Sequence, residues 1–151
     1  MTPQEATQLL FQAARSGRIN DAESALAAGT DPNARDGWQW TPLHLAALNG
    51  YADLARLLIA KGAKATARND EQRTPLHFAA LNGYADLALL LIAKGADPTA
   101  KDKWQQTPLN YAVDGGHAYL VRLLKEAARD KPAHADRVVG RRGSGEPQIG
   151  G

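Results

Sequence analysis

Apolar residues in this chain fall into short clusters that keep helical spacing, separated by polar, turn-rich stretches. Leu43, Ala46 and Ala47 lie at the i, i+3, i+4 positions of one buried helical face. Thr41 precedes them as an N-cap, and Pro42, with its fixed φ and missing N–H, suits a first helical turn. Asn49-Gly50 stops this short helix, because both residues tolerate the left-handed conformation. A second helix follows, with Leu54, Leu57 and Leu58 at core spacing and Asp53 in the first turn, where a carboxylate is favourable. Lys61-Gly62 closes it, the cation at the negative end and the glycine just past it. From Ala63 to Arg73 the chain is polar and turn-rich and predicts a projecting loop or β-finger. The unit is helix, turn, helix, finger, and its small alanines let a neighbouring helix come close.

The unit repeats. Thr41-Pro42-Leu43-His44 returns as Thr74-Pro75-Leu76-His77 and again as Thr107-Pro108-Leu109-Asn110, 33 residues apart each time. Gly29, Gly62 and Gly95 keep the same period, as do Asp36, Asn69 and Asp102. Residues 37–69 laid over 70–102 agree at 24 of 33 positions, which fits recent duplication or consensus-style design. On these motifs the chain resembles the ankyrin-repeat family, whose signature is a helical Thr-Pro-Leu-His-x-Ala segment on a 33-residue period. The matching segments are Thr-Pro-Leu-His-Leu-Ala (41–46) and Thr-Pro-Leu-His-Phe-Ala (74–79), with Thr-Pro-Leu-Asn-Tyr-Ala (107–112) as a degenerate third.

The resemblance implies an all-α solenoid of stacked helix-turn-helix units with projecting β-hairpin fingers. The expected domain is 1–130, made of a cap (1–36), repeats 37–69 and 70–102, and a second cap (103–130). The first unit, with Leu9, Leu10, Ala13, Ala14 and Gly17, lacks Thr-Pro-Leu-His and carries Gln8, Gln12 and Arg15, as an outer cap should. Residues 131–151, rich in Gly and ending Gly150-Gly151, predict a flexible tail. One departure is systematic: Gln39, Gln72 and Gln105 stand two residues before each Thr, where the family usually has the glycine of the finger turn. That leaves the shape of the finger tip open, with Gly37 as an alternative turn residue in the first finger.

Composition narrows the function. Hydrophobic residues make up 44% and charged residues 23% of the 151, an ordinary balance for one globular domain. The net charge of +2 belongs to residues 129–151, which carry five basic and three acidic side chains; residues 1–128 are neutral, at 13 of each. A neutral body predicts no nucleic-acid partner despite a pI near 9.0. No apolar run is long enough to span a membrane, and the N-terminus lacks the pattern of a secretory signal. With no Cys there is no disulfide, thiolate metal site or Cys nucleophile, and the chain suits the cytoplasm.

Candidate chemistry is sparse. No nucleophile elbow, phosphate-binding loop or zinc-protease motif occurs, so the expectation is a non-enzymatic protein without catalytic residues, metal or cofactor. The resemblance assigns His44 and His77 a hydrogen bond to the motif Thr and nearby backbone. His117 stands where Tyr51 and Tyr84 stand and predicts a packing role. All three tryptophans, Trp38, Trp40 and Trp104, fall on finger tips. In the family the fingers and the exposed side of each first helix form a concave face that grips another protein. Carried over position by position, that face is Trp38, Trp40, Leu48, Asn49, Glu71, Arg73, Leu81, Asn82, Lys103, Trp104, Gln106 and Asp114. Trp and Arg are frequent interface anchors, and Leu48 and Leu81 are expected to be exposed beside them. Trp40 has two readings, partner anchor or packing between fingers. The expected partner is another protein, with self-association through the same face as the alternative.

Overall fold

The computed structural model describes residues 1–130. The expected tail, with His134, Arg137, Arg141 and Arg142, lies outside the described residues. Eight helices follow one another: α1 (Pro3–Ser16), α2 (Ile19–Ala27), α3 (Pro42–Asn49), α4 (Ala52–Ala60), α5 (Pro75–Leu81), α6 (Ala85–Ala93), α7 (Pro108–Asp114) and α8 (Ala118–Asp130). Among the described residues there is no β-strand, so the fold is an all-α repeat solenoid. The first helices of the units, α1, α3, α5 and α7, stack into an inner layer, and α2, α4, α6 and α8 into an outer one. The core lies between the layers and is built from Leu10, Leu43, Leu54, Leu58, Leu76, Leu87, Leu91, Leu120 and Leu124 with interleaved alanines. Leu57 is half-buried, because the outer helices turn that flank away from the inner layer.

Local chemistry sets each boundary. Thr41 accepts the backbone N–H of His44 at the start of α3, with Pro42 at the first helical position. The first unit has its own version: Thr2 accepts from the Glu5 N–H while the Glu5 carboxylate accepts from the Thr2 N–H, so α1 begins six residues earlier in the repeat than its siblings. Gly50 ends α3 at φ 77°, and a Cβ there would lie 2.8 Å from the Tyr84 ring of the next unit. The residue must therefore be glycine for its backbone angle and for the close approach alike.

The conserved-in-period histidines join the units. In His44 the ring Nδ1 accepts from the Thr41 N–H at 3.0 Å and lies 2.9 Å from the Thr41 hydroxyl. A nitrogen that accepts an amide proton carries none, so Nε2 is the protonated one and donates to the Arg73 carbonyl in the next finger, at 2.9 Å. His77 repeats this with Thr74 and the Gln106 carbonyl, at 3.0 Å. Asn110, third in the series, takes over only the first half: its Oδ1 accepts from the Thr107 N–H and hydroxyl at 2.9 and 3.0 Å.

The fingers are three-residue turns. The Gln39 N–H donates to the Asp36 carbonyl, and the Asp36 N–H donates back to the Trp40 carbonyl, both at 3.0 Å. The last turn residue of such a loop must be left-handed, and Gln39, Gln72 and Gln105 occupy it at φ 66°, 62° and 64°. The glutamines thus keep the turn that glycine would make, and Gly37 does not relocate it. Each costs on the order of 1 kcal/mol in backbone strain. Offsetting bonds converge on the turn. The Asp36 side chain accepts from the Trp38 and Trp40 N–H groups. Arg35 donates to the Gln39 carbonyl and to the Arg68 carbonyl of the next finger, and Arg68 does the same for Gln72 and Lys101.

Two outcomes are expected. Gln72→Gly should raise stability by at most about 0.5 kcal/mol, relief of strain slightly exceeding the greater freedom glycine gives the unfolded chain, as read from a urea midpoint at unchanged slope. Acid should weaken the stack at the histidines. Burial, the largest influence, lowers the His44 pKa to about 4 and lowers that of His77 as well. The unfolded chain therefore binds more protons below pH 6.5, and stability, full above that value, declines as pH falls towards 4. His44 alone should account for roughly 3 kcal/mol of the loss. Urea titrations at a series of pH values should show the decline, and a His44→Asn variant should show a shallower one.

Candidate functional site

The sequence-derived face divides into groups that meet and groups that do not. Trp38 stands clear of the body at 68% exposure, its carbonyl accepting the Asp70 N–H of the next finger at 3.2 Å. Trp40, one register step away, turns inward and stacks on Phe78 with ring centroids 4.5 Å apart. Its side chain closes the joint between the first finger and α5. Leu48 is half-buried rather than exposed, because α5 packs beside it and Asn82 donates to its carbonyl at 3.0 Å. Asn49 and Asn82 are exposed, their amides also bonded back to Leu45 and Phe78 of their own helices. Leu81 is exposed at 40%.

Arg73, Leu81, Trp104, Gln106 and Asp114 come together around one recess of about 330 Å³ in the angle between the second and third fingers and the inner helices. Its floor holds two residues that the motif comparison passed over, Asp102 and Tyr111. The Tyr111 hydroxyl donates to Asp102 Oδ2 and accepts from Arg73 Nε at 2.6 Å, and Arg73 Nε lies 3.5 Å from the same carboxylate oxygen. The other Asp102 oxygen accepts the backbone N–H groups of Trp104 and Gln106, at 2.9 and 2.8 Å. Arg73 also pairs with Glu71 at 3.0 Å and lies over the Trp104 ring, 4.9 Å from its centre. Trp104 is 51% exposed, and Lys103 approaches the same ring at 5.7 Å.

The charges in this cluster explain one another. Burial raises the Asp102 pKa, but the hydrogen bonds from Tyr111, Gln106 and Trp104 outweigh it and hold the carboxyl below its ordinary range. Burial and the bond to that carboxylate push the Tyr111 phenol up to about 12. Tyr111 is therefore a fixed neutral donor and Asp102 a fixed anion, and neither exchanges a proton near neutrality. The cluster holds Arg73 in place against the Trp104 ring.

The joint one repeat earlier is built from different chemistry at the same positions. Trp40 stands for Arg73, Phe78 for Tyr111 and Asn69 for Asp102. There an apolar stack fills the slot, and a carboxylate would have no partner. Asn69 keeps the one acceptor oxygen the finger turn needs, taking the Glu71 and Arg73 N–H groups at 2.9 and 3.0 Å, while its buried Nδ2 has no hydrogen-bond partner among the described residues. Between these two joints the three positions change together, so that the hydroxyl at 111 meets the carboxylate at 102 and the guanidinium at 73.

Among the described residues no three His, Asp or Glu side chains are placed to hold a metal ion, and no helix is long and apolar enough to cross a membrane. A family model described as ankyrin repeats, in three copies, matches residues 10–102. No curated protein matches the chain.

The matched sets give an additivity test. Asp102→Asn or Tyr111→Phe alone should each cost about 1–3 kcal/mol by leaving a buried partner unmet. The triple variant Arg73→Trp, Asp102→Asn, Tyr111→Phe rebuilds the earlier joint and should cost well under the sum of its parts in urea denaturation. Strict additivity would show that the slots are not interchangeable units.

Proposed function

From the premise that the chain belongs to the ankyrin-repeat family, whose repeats are generally protein–protein interaction modules and typically non-enzymatic, we propose that it is a binding module gripping a partner protein. The proposed grip is the angle between fingers and inner helices. What carries the reading is the disposition of Trp38 and Trp104: both are more than half exposed on finger tips, although burying either would remove a large apolar area from water. With Leu81 they form an apolar display on a scaffold whose backbone is fixed by finger-to-finger hydrogen bonds. A surface held in place before contact loses little conformational entropy on binding. The remaining residues of the proposed face, Trp40, Leu48, Asn49, Glu71, Arg73, Asn82, Lys103, Gln106 and Asp114, divide into rim and support. Trp40 belongs to the support, since its ring is stacked on Phe78.

Self-association is the second reading, favoured by the exposed Leu81 on the same face. Sedimentation across a concentration range separates the two, because a mass that stays monomeric rules out the second.

The direct test is capture from a proteome by the intact chain and by a Trp38→Ala, Trp104→Ala double variant of matched thermal stability. The expected result is a partner bound by the first and lost by the second, each substitution weakening binding by about 1–3 kcal/mol. A partner held equally by both places the grip elsewhere on the molecule.

A further inference from the structure

The proposed grip is uneven, and its unevenness has a chemical direction. The earlier joint is filled by Trp40 and Phe78. The later one opens into the recess of about 330 Å³. The apolar parts of its rim are the Trp104 ring and the Leu81 side chain. Its charged residues are Arg73, Asp102 and Asp114, a net of −1. Arg73 is already engaged by Asp102, Glu71 and the Tyr111 hydroxyl. The uncompensated charge is that of Asp114.

Asp114 is hard to account for by folding. It is the last residue of α7, at the negative end of the helix, where a carboxylate is unfavourable. It stands where Leu48 and Leu81 stand in the two preceding repeats. It is exposed, and no cation lies within ion-pair distance of it among the described residues. An acid placed against the helix dipole, unpaired among the described residues, on the wall of a recess with an aromatic rim is an arrangement that a cation from outside would complete.

On the reading that the finger face binds protein, we infer that this recess receives a lysine or arginine side chain of the partner. The aliphatic stem lies along Leu81 and the Trp104 ring, and the cationic head reaches Asp114. Long basic side chains bury their stems on apolar surface while the head stays polar, and an indole face attracts cations. The ring already draws two of the protein's own, Arg73 and Lys103. Lys103 is the competitor, being exposed and without an ion pair among the described residues, so an incoming basic residue displaces it from the ring.

The experiment is selection of a phage-displayed random 12-residue peptide library on the full chain, on Asp114→Asn, on Lys103→Ala and on the Trp38→Ala, Trp104→Ala variant. Asp114→Asn removes an unfavourable charge from a helix end and should fold at least as stably, which thermal melting verifies. The expected result is peptides with Lys or Arg enriched at one position. Their dissociation constants should rise roughly tenfold on Asp114→Asn, the equivalent of about 1.4 kcal/mol, and fall on Lys103→Ala. Selected peptides without a basic preference, or with one that survives Asp114→Asn, would overturn the assignment of the recess and leave the binding-module reading standing. Failure of the full chain to enrich any peptide over the tryptophan-less variant would overturn both.

Discussion

One proton on each motif histidine ties a unit to the next. Because Nδ1 accepts the amide proton at the start of its own helix, Nε2 carries the hydrogen and donates it to a carbonyl of the following finger. The bond thus fixes the finger relative to the inner helix of the unit before it, and the rest of the architecture follows from that fixed angle. Fingers in register can exchange N–H and carbonyl groups, as between Trp38 and Asp70 and between Glu71 and Lys103. Arg35 and Arg68 can then bridge one turn to the next. The recess exists because finger and helix are held apart at a set distance on side chains that are themselves buried and satisfied.

The same logic explains what changes at the third unit. Asn110, half-buried at that position, keeps only the capping half of the histidine's role. Its Oδ1 accepts from the Thr107 N–H and hydroxyl, as the histidine Nδ1 does at the start of the two preceding repeats. Tyr111 adds a hydroxyl where Leu45 and Phe78 have none, and that hydroxyl donates to the carboxylate at 102 and accepts from the guanidinium at 73.

Much of this was legible in the chain because it is local. Thr-Pro starts, Gly ends and leucine spacing act within a few residues, so each could be placed by elementary stereochemistry. Three features escaped for identifiable reasons. The cap at Thr2-Pro3-Gln4-Glu5 lies six residues out of register with its siblings, so a search on period passes it by. Leu57 has core spacing, but its helix is in the outer layer, and spacing alone does not say which flank is covered. The Arg73–Asp102–Tyr111 cluster joins residues 29 and 9 apart, a distance that only the fold closes. Its signal was nonetheless present: positions 40 and 73, 69 and 102, and 78 and 111 switch together from apolar or neutral to polar or charged. Alignment of the repeats on one another shows that switch, whereas inspection of each motif in isolation hides it.

The left-handed glutamines have a last implication. A glycine at the finger tip is a blank position: it allows the turn and says nothing to whatever lies outside. With Gln39, Gln72 and Gln105 in that backbone conformation, each exposed, the tip becomes a variable site where a side chain is displayed. The alphabet of residues that a turn admits there is set by how much left-handed strain the neighbouring hydrogen bonds can absorb. Robust turns, capped from both sides by an Asx carboxyl or amide and an arginine, therefore enlarge the vocabulary of surfaces that a repeat of this length can evolve.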